Sequence, residues 1–328
     1  MLRWRLLLGT VFVGTLAALC WLDAQAATPG TWLMPLGLLL TVLGTQELLG
    51  LWSTRPQQPL GWAVYVGNVL IVLANFGAIW KPAMFGPLGW PAVGFALAIL
   101  VVLWGEMARY TGPGGVAERL GLASFALAYV GLLMSFLVQL RLLGPGGSWG
   151  LAALASLVLI VKSSDIGAYT VGRLIGRHKM APVLSPGKTL EGAAGAFGAA
   201  LLAAWASQRW LIPWMIGAEA ATVGASPSGS PHVSAVPAWG WIVAGLSLCL
   251  VGIVGDLAES LLKRDAGRKD SSTWMPGFGG ILDLIDSLPL ACLVLEATWA
   301  GQKLATLEKI ANHFDTMICN PKPVVEQR

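Results

Sequence analysis

Two stretches of this chain concentrate side chains that can handle phosphates and a hard cation. The first runs from Lys162 to Glu191 and contains Asp165, Tyr169, Arg173, Arg177, His178 and Lys179, then Ser185-Pro186-Gly187-Lys188-Thr189 and Glu191-Gly192. A Ser-Pro-Gly-Lys-Thr run before a small-residue helix offers free backbone N–H groups and an ammonium to an anion. It lacks the first glycine of a P-loop, and alone it reads better as a basic loop with a helix cap. The second stretch contains Asp256, Glu259, Ser260, Lys263, Arg264, Asp265, Arg268, Lys269 and Asp270, a glycine-rich turn from Pro276 to Gly280, and Asp283 and Asp286. Asp256, Glu259, Ser260 and Lys263 are spaced i, i+3, i+4, i+7 and so share one helical face. Asp283 and Asp286, at i and i+3, share another.

Two carboxylates on one turn at membrane depth repel and are costly to desolvate unless a cation sits between them. Hard oxygen donors without His or Cys favour Mg²⁺, with or without a second cation. A helix N-terminal cap would explain Asp283, but not Asp286, Asp256 and the neighbouring cations as well. Acids for a metal and bases for phosphates are what phosphoryl-type transfer requires.

These side chains stand out against a chain that otherwise avoids charge. Of 328 residues, 55% are apolar and 12% charged, where a soluble domain carries about 25% charged residues. The composition therefore points to an all-α polytopic integral membrane protein, and it excludes a soluble nucleic-acid binder despite the net charge of +4. Seven of the 38 charged residues fall between Lys162 and Glu191 and ten between Asp256 and Asp286.

Windows of about 19 residues place spans near Leu6–Leu22, Trp32–Trp52, Leu60–Trp80, Pro91–Ala108, Gly121–Leu140, Trp149–Ile166, Leu190–Trp210, Ala238–Gly255 and Leu284–Ala300. Trp21, Trp32, Trp52, Trp62, Trp80, Trp90, Trp149, Trp210, Trp239 and Trp299 fall near their ends, as an interfacial belt does. With the N-terminus inside, thirteen Lys and Arg residues lie on the inner side and three on the outer, setting the tail aside. The polar stretches are separated by two spans, so both face one side, the cytoplasmic side by this count. Residues 1–148 then form a lipid-facing scaffold. Residues 149–302 form a catalytic membrane region with polar segments 162–192 and 256–287, and residues 303–328 form a tail. Arg3 and Arg5 before Leu6–Leu22, with Ala24-Gln25-Ala26 after it, have the shape of a signal peptide, but the spans that follow at once favour a retained first helix. Cys20, Cys249, Cys292 and Cys319 have no CxxC spacing and the three histidines are scattered, so neither a zinc site nor a disulfide framework is expected.

The second stretch resembles the signature of the phosphatidate cytidylyltransferases (CDP-diacylglycerol synthases), S-x-x-K-R-x4-K-D, a glycine-rich turn, then D-R-x-D. It is carried here by Ser260, Lys263, Arg264, Lys269, Asp270, the turn 276–280, Asp283 and Asp286. Asp165-x-x-Ala168-Tyr169 and Ser185-Pro186-x-Lys188-Thr189-x-Glu191-Gly192 are similar to the family's other recurrent stretch. Phe278 stands where the family usually has His, and Leu284 where it has Arg, which bears on substrate preference and rate. The resemblance implies transfer of CMP from CTP to phosphatidic acid at the inner face of the cytoplasmic membrane, giving CDP-diacylglycerol and diphosphate, and it suggests a homodimer. It implies Asp256, Asp283 and Asp286 as Mg²⁺ ligands, with Lys263 catalytic beside them. Arg173, Ser185, Lys188, Thr189, Ser260, Arg264 and Lys269 become substrate contacts, and Asp165 and Glu259 supporting acids.

Other readings use the same residues differently. A CTP-dependent polyprenol or phytol kinase would transfer the γ-phosphate, and a catalytically weak relative or scaffold would follow from Phe278 and Leu284. A transporter needs intramembrane charges elsewhere. Glu47, Glu106 and Lys162 are the candidates, and their places near helix ends read as snorkelling.

Overall fold

The computed structural model describes residues 2–80, 82–142, 148–223, 239–272, 280–285, 287, 288 and 290–292. Among them, six helices are long and apolar enough to cross a membrane, so the chain is an all-α integral membrane protein with one small β-hairpin. The first helices are α1 (Leu2–Ala24), α2 (Leu33–Leu51), α3 (Gly61–Leu73), α4 (Asn75–Trp80) and α5 (Pro82–Ala108). Next come α6 (Val116–Ala126) and α7 (Leu133–Arg141), joined through one π-helical stretch at Leu127–Leu132, and α8 (Ser148–Ile175). Strands β1 (Lys179–Ala181) and β2 (Ser185–Thr189) precede α9 (Leu190–Ala206), which runs through a second π-helical stretch into α10 (Ile212–Val223). The last elements are α11 (Gly240–Asp265) and the short α12 (Ile281–Ile285).

Hydropathy locates these elements well. The third expected span is a shorter apolar helix here, Gly61–Gly77, α1 covers the first, and most of the ninth, 284–300, lies outside the described residues. Just past the turn at Ala74, Asn75 points its amide inward, donating to the Val72 carbonyl (3.0 Å) and the Ser135 hydroxyl (2.8 Å). Most of the expected belt tryptophans are exposed, Trp21, Trp32, Trp80, Trp210 and Trp239 among them. Trp52 is a correction: it is 3% exposed and meets Phe125 edge-on at 6.1 Å.

Two apolar cores hold the helices. The first gathers Leu48, Leu51, Val64, Ile71, Leu127 and Met134, and takes in Ile281 and Leu282 of α12. The second gathers Leu157, Val161, Ala196, Ala200, Leu248 and Cys249 of α8, α9 and α11. The α8–α9 crossing depends on small residues. A Cβ at Gly167 would lie 2.6 Å from both Ala199 Cβ and the Gly195 carbonyl oxygen, so glycine sets the helix separation.

At the end of α2 away from the hairpin, Asp23 is 1% exposed and forms an ion pair with Arg141, itself 3% exposed. Its carboxylate also accepts the backbone N–H groups of Gly30 (3.1 Å) and Trp32 (2.8 Å). A buried pair of this kind is stable only when its remaining lone pairs are used, and the turn before α2 supplies those donors.

Candidate active site

The site is assembled around α11. With 26 residues, this helix is about 39 Å long against a hydrocarbon core of about 30 Å, so its last turns can carry charge beyond the apolar layer. The helix continues to Asp265, which places Asp256, Glu259, Ser260 and Lys263 along one face, as their spacing predicts. The hairpin lies beside it. Its strands pair Lys179 with Thr189 and Ala181 with Ser185, and Pro182, Val183 and Leu184 make the connection. The loop expected here is thus a hairpin. Glu191 fastens its base, accepting from the backbone N–H of Arg177 (3.0 Å) and lying 2.6 Å from His178 Nδ1. The Thr189 hydroxyl, buried, caps α9 by accepting the Gly192 N–H at 3.1 Å.

The two charge-rich stretches converge. Lys188 of β2 forms an ion pair with Asp256 of α11, and Arg264 donates to the Leu184 carbonyl at 3.2 Å. Lys263 pairs with Asp283 of α12 and lies 3.3 Å from Glu259, which is 1% exposed. Asp283 Oδ2 accepts from Ser271 Oγ (2.6 Å), Ser271 N (3.1 Å) and Gly280 N (2.8 Å). Burial works against ionising Asp283, but the Lys263 ammonium and the Ser271 and Gly280 donors outweigh it. They hold the carboxyl below the usual carboxylate range.

Glu47 of α2 completes this network. It is 7% exposed, and it accepts the N–H of Ile281 (2.9 Å), the N–H of Leu282 (2.8 Å) and the Ser271 hydroxyl (3.1 Å). Snorkelling is therefore the wrong account of Glu47, whose carboxylate turns inward to orphan N–H groups at the start of α12. It is also wrong for Glu106, 3% exposed and paired with Arg109 and Arg119. A charge inside an apolar run is a functional candidate by default, and that was the available signal for Glu47. Ser271 carried none, and Gly280 only its place in the glycine-rich turn.

The other expected residues that are described sit on α8, β2 and α11 and beside the start of α12. Asp165 pairs with Lys162 on α8 at 3.1 Å, and Arg173 donates to the Tyr169 hydroxyl at 2.5 Å. Ser185 opens β2, Ser260 lies on α11, and Lys269 lines a cleft of about 860 Å³ between α2 and residues 268–272, with Glu47, Arg268 and Ser271 also in its wall. Leu284 lies in α12, while Phe278 and Asp286 fall outside the described residues. Among the described residues, no three Asp, Glu, His or Cys side chains form a group that could hold a metal ion. Asp256 and Asp283 fit Mg²⁺ by donor type, hard carboxylate oxygen, and in the structure each faces a lysine.

The chain is similar over residues 3–300 to the cytidylyltransferase family. It is 32% identical over 249 residues to a phosphatidate cytidylyltransferase of Brucella suis biovar 1, covering 76% of each chain. Over 267 residues it is 28% identical to the phosphatidate cytidylyltransferase of Haemophilus influenzae, covering 76% of this chain and 85% of that one. It shares 26% identity over 294 residues with the Mycobacterium bovis protein of the same name, covering 87% of this chain and 85% of the relative.

Proposed function

Because the chain belongs to the cytidylyltransferase family, we propose that it transfers CMP from CTP to phosphatidic acid, giving CDP-diacylglycerol and diphosphate. The observation that carries this reading is the meeting of Lys188 with Asp256 and of Arg264 with Leu184. It brings the two charge-rich stretches together at the end of a long apolar helix.

A phosphate oxygen of phosphatidate attacks the α-phosphorus of CTP in line. The new P–O bond forms as the bond from the α-phosphorus to the α–β bridging oxygen breaks, and its electron pair leaves with diphosphate. Little general-base help is needed, because a phosphate monoester is largely ionised near neutrality. Both reactants are anions, so the protein must cancel charge before they meet. Lys188, Lys263, Arg264, Arg173 and Lys269 supply that charge and fix the phosphates by charge-assisted hydrogen bonds, with Ser185 and Ser260 as hydroxyl donors. Asp256, Asp283 and Asp286 would hold Mg²⁺, which supplies further neutralisation of the CTP phosphates. Glu259, 3.3 Å from the Lys263 ammonium, helps hold it in place.

The reading places the site on the cytoplasmic side of the inner membrane, where CTP arrives from water while the diacyl chains stay in lipid. A ninth span over 284–300 and a homodimer complete the proposal. Feeding α- and γ-labelled CTP with phosphatidate in detergent micelles tests the reaction. Label from the α-position alone is expected in the lipid product, and transfer of γ-label would overturn it.

A further inference from the structure

We infer that Glu47 is a positioning residue for the transfer reaction, acting through Ser271 and the start of α12 on Asp283. The inference rests on the cytidylyltransferase reading of the site.

A five-residue helix cannot hold its own position, because its few internal hydrogen bonds do not offset the cost of nucleation. What places α12 is external. Ile281 and Leu282, each 3% exposed, are packed into the first apolar core, and their N–H groups end on Glu47. Ser271, at the other side of the glycine-rich turn, reaches both Glu47 and Asp283 through one hydroxyl. That hydroxyl has a single proton and serves one carboxylate at a time, with Asp283 the nearer. Glu47 thus grips both flanks of the turn, at 271 and at 281–282, and Asp283 follows directly on the second.

Gly280 has no room for a side chain because of this grip. A Cβ there would lie 2.2 Å from both Glu47 Oε2 and Ser271 Oγ. A carboxylate inside an apolar helix is expensive to keep. Here it spends its oxygens on the segment that presents Asp283 to Lys263. The consequence is that α2 sets where a site acid stands, although α2 lies far from that acid in sequence.

The test uses the full chain in nanodiscs with Glu47→Gln, Ser271→Ala and Ser271→Thr. Glu47→Gln keeps the side chain's size but turns an NH₂ group toward donors. Amide exchange at Ile281 and Leu282 should accelerate, and turnover per folded molecule should fall about tenfold or more, since small misplacements of reacting groups are this costly. KM for CTP should stay near its wild-type value. Ser271→Ala should lower turnover, and Ser271→Thr, which keeps the hydroxyl, should restore it. Wild-type turnover per folded molecule in Glu47→Gln overturns the inference. So does a loss explained wholly by a smaller folded fraction, or a rise in KM alone. If the wild-type chain makes no CDP-diacylglycerol, the functional reading fails instead. The exchange measurement still decides whether Glu47 holds the segment: unchanged exchange overturns the positioning too, and faster exchange sustains it.

Discussion

Lys188 on β2 and Asp256 on α11 form an ion pair that joins the two charge-rich stretches of the chain. Both side chains keep partial exposure, at 22% and 37%, so solvent screens the pair and its contribution to stability is small. On the proposed function, its value lies in placing an ammonium and a carboxylate where phosphates are bound. Lys188→Ala should therefore leave the thermal midpoint close to wild type while cutting CDP-diacylglycerol formation about a hundredfold, the usual scale for losing one preorganised charge-stabilising group. Radiolabelled CTP incorporation checks this, and unimpaired incorporation would remove Lys188 from the site.

That the two stretches could meet was legible from the two spans between them. The i, i+3, i+4, i+7 spacing of Asp256, Glu259, Ser260 and Lys263 likewise survives into one face of α11, since helical periodicity depends only on local geometry. Contacts across the fold were not legible. Nothing local in Gln46-Glu47 says that the carboxylate will find the N–H groups of Ile281 and Leu282, because that depends on how α2 packs against α12. The hairpin at 179–189 is too short and too polar for a period-2 pattern to announce it. The burial of Trp52 depends on Phe125 arriving from α6, which hydropathy cannot express.

Glycine 280 gives a steric prediction. Gly280→Ala forces a Cβ into the Glu47 carboxylate and the Ser271 hydroxyl, and overpacking of this kind destabilises by about 1–3 kcal/mol. Gly121→Ala is the matched control, since a Cβ there meets nothing within 4 Å and lies within α6, where alanine is favoured over glycine by about 0.5–1 kcal/mol. Thermal midpoints in detergent should move in opposite directions. A neutral Gly280→Ala would contradict the tight turn.

The Asp23–Arg141 pair predicts both stability and processing. Removing one member leaves the other charge buried, so Asp23→Asn should destabilise by about 3–5 kcal/mol. The double change Asp23→Asn with Arg141→Met should recover part of that loss, because it removes both charges and keeps an amide oxygen for the Gly30 and Trp32 N–H groups. Asp23 precedes the cleavage-like Ala24-Gln25-Ala26, and loss of the segment before it would strip Arg141 of this carboxylate. The intact mass of protein purified from membranes should accordingly include Asp23. A mass matching cleavage after Ala26 would show that the mature protein does without the pair.

Asp283 is held from both sides, with Lys263 on one oxygen and Ser271 and Gly280 on the other. Asp283→Asn replaces a carboxylate oxygen with an NH₂ that points at one of these donors, and it removes the negative charge that balances Lys263. The variant should lose CMP transfer by about a hundredfold to a thousandfold, the scale seen when a charge aimed at a transition state is deleted. If Asp283 and Asp286 hold Mg²⁺, the wild-type chain should also gain thermal stability as Mg²⁺ is added in the presence of CTP, since a ligand that binds only the folded state stabilises it. Asp283→Asn and Asp286→Asn should each abolish that gain. An undiminished Mg²⁺-dependent shift in both variants, alongside lost turnover, would move the metal away from these acids and leave Asp283 as the counter-charge that orients Lys263.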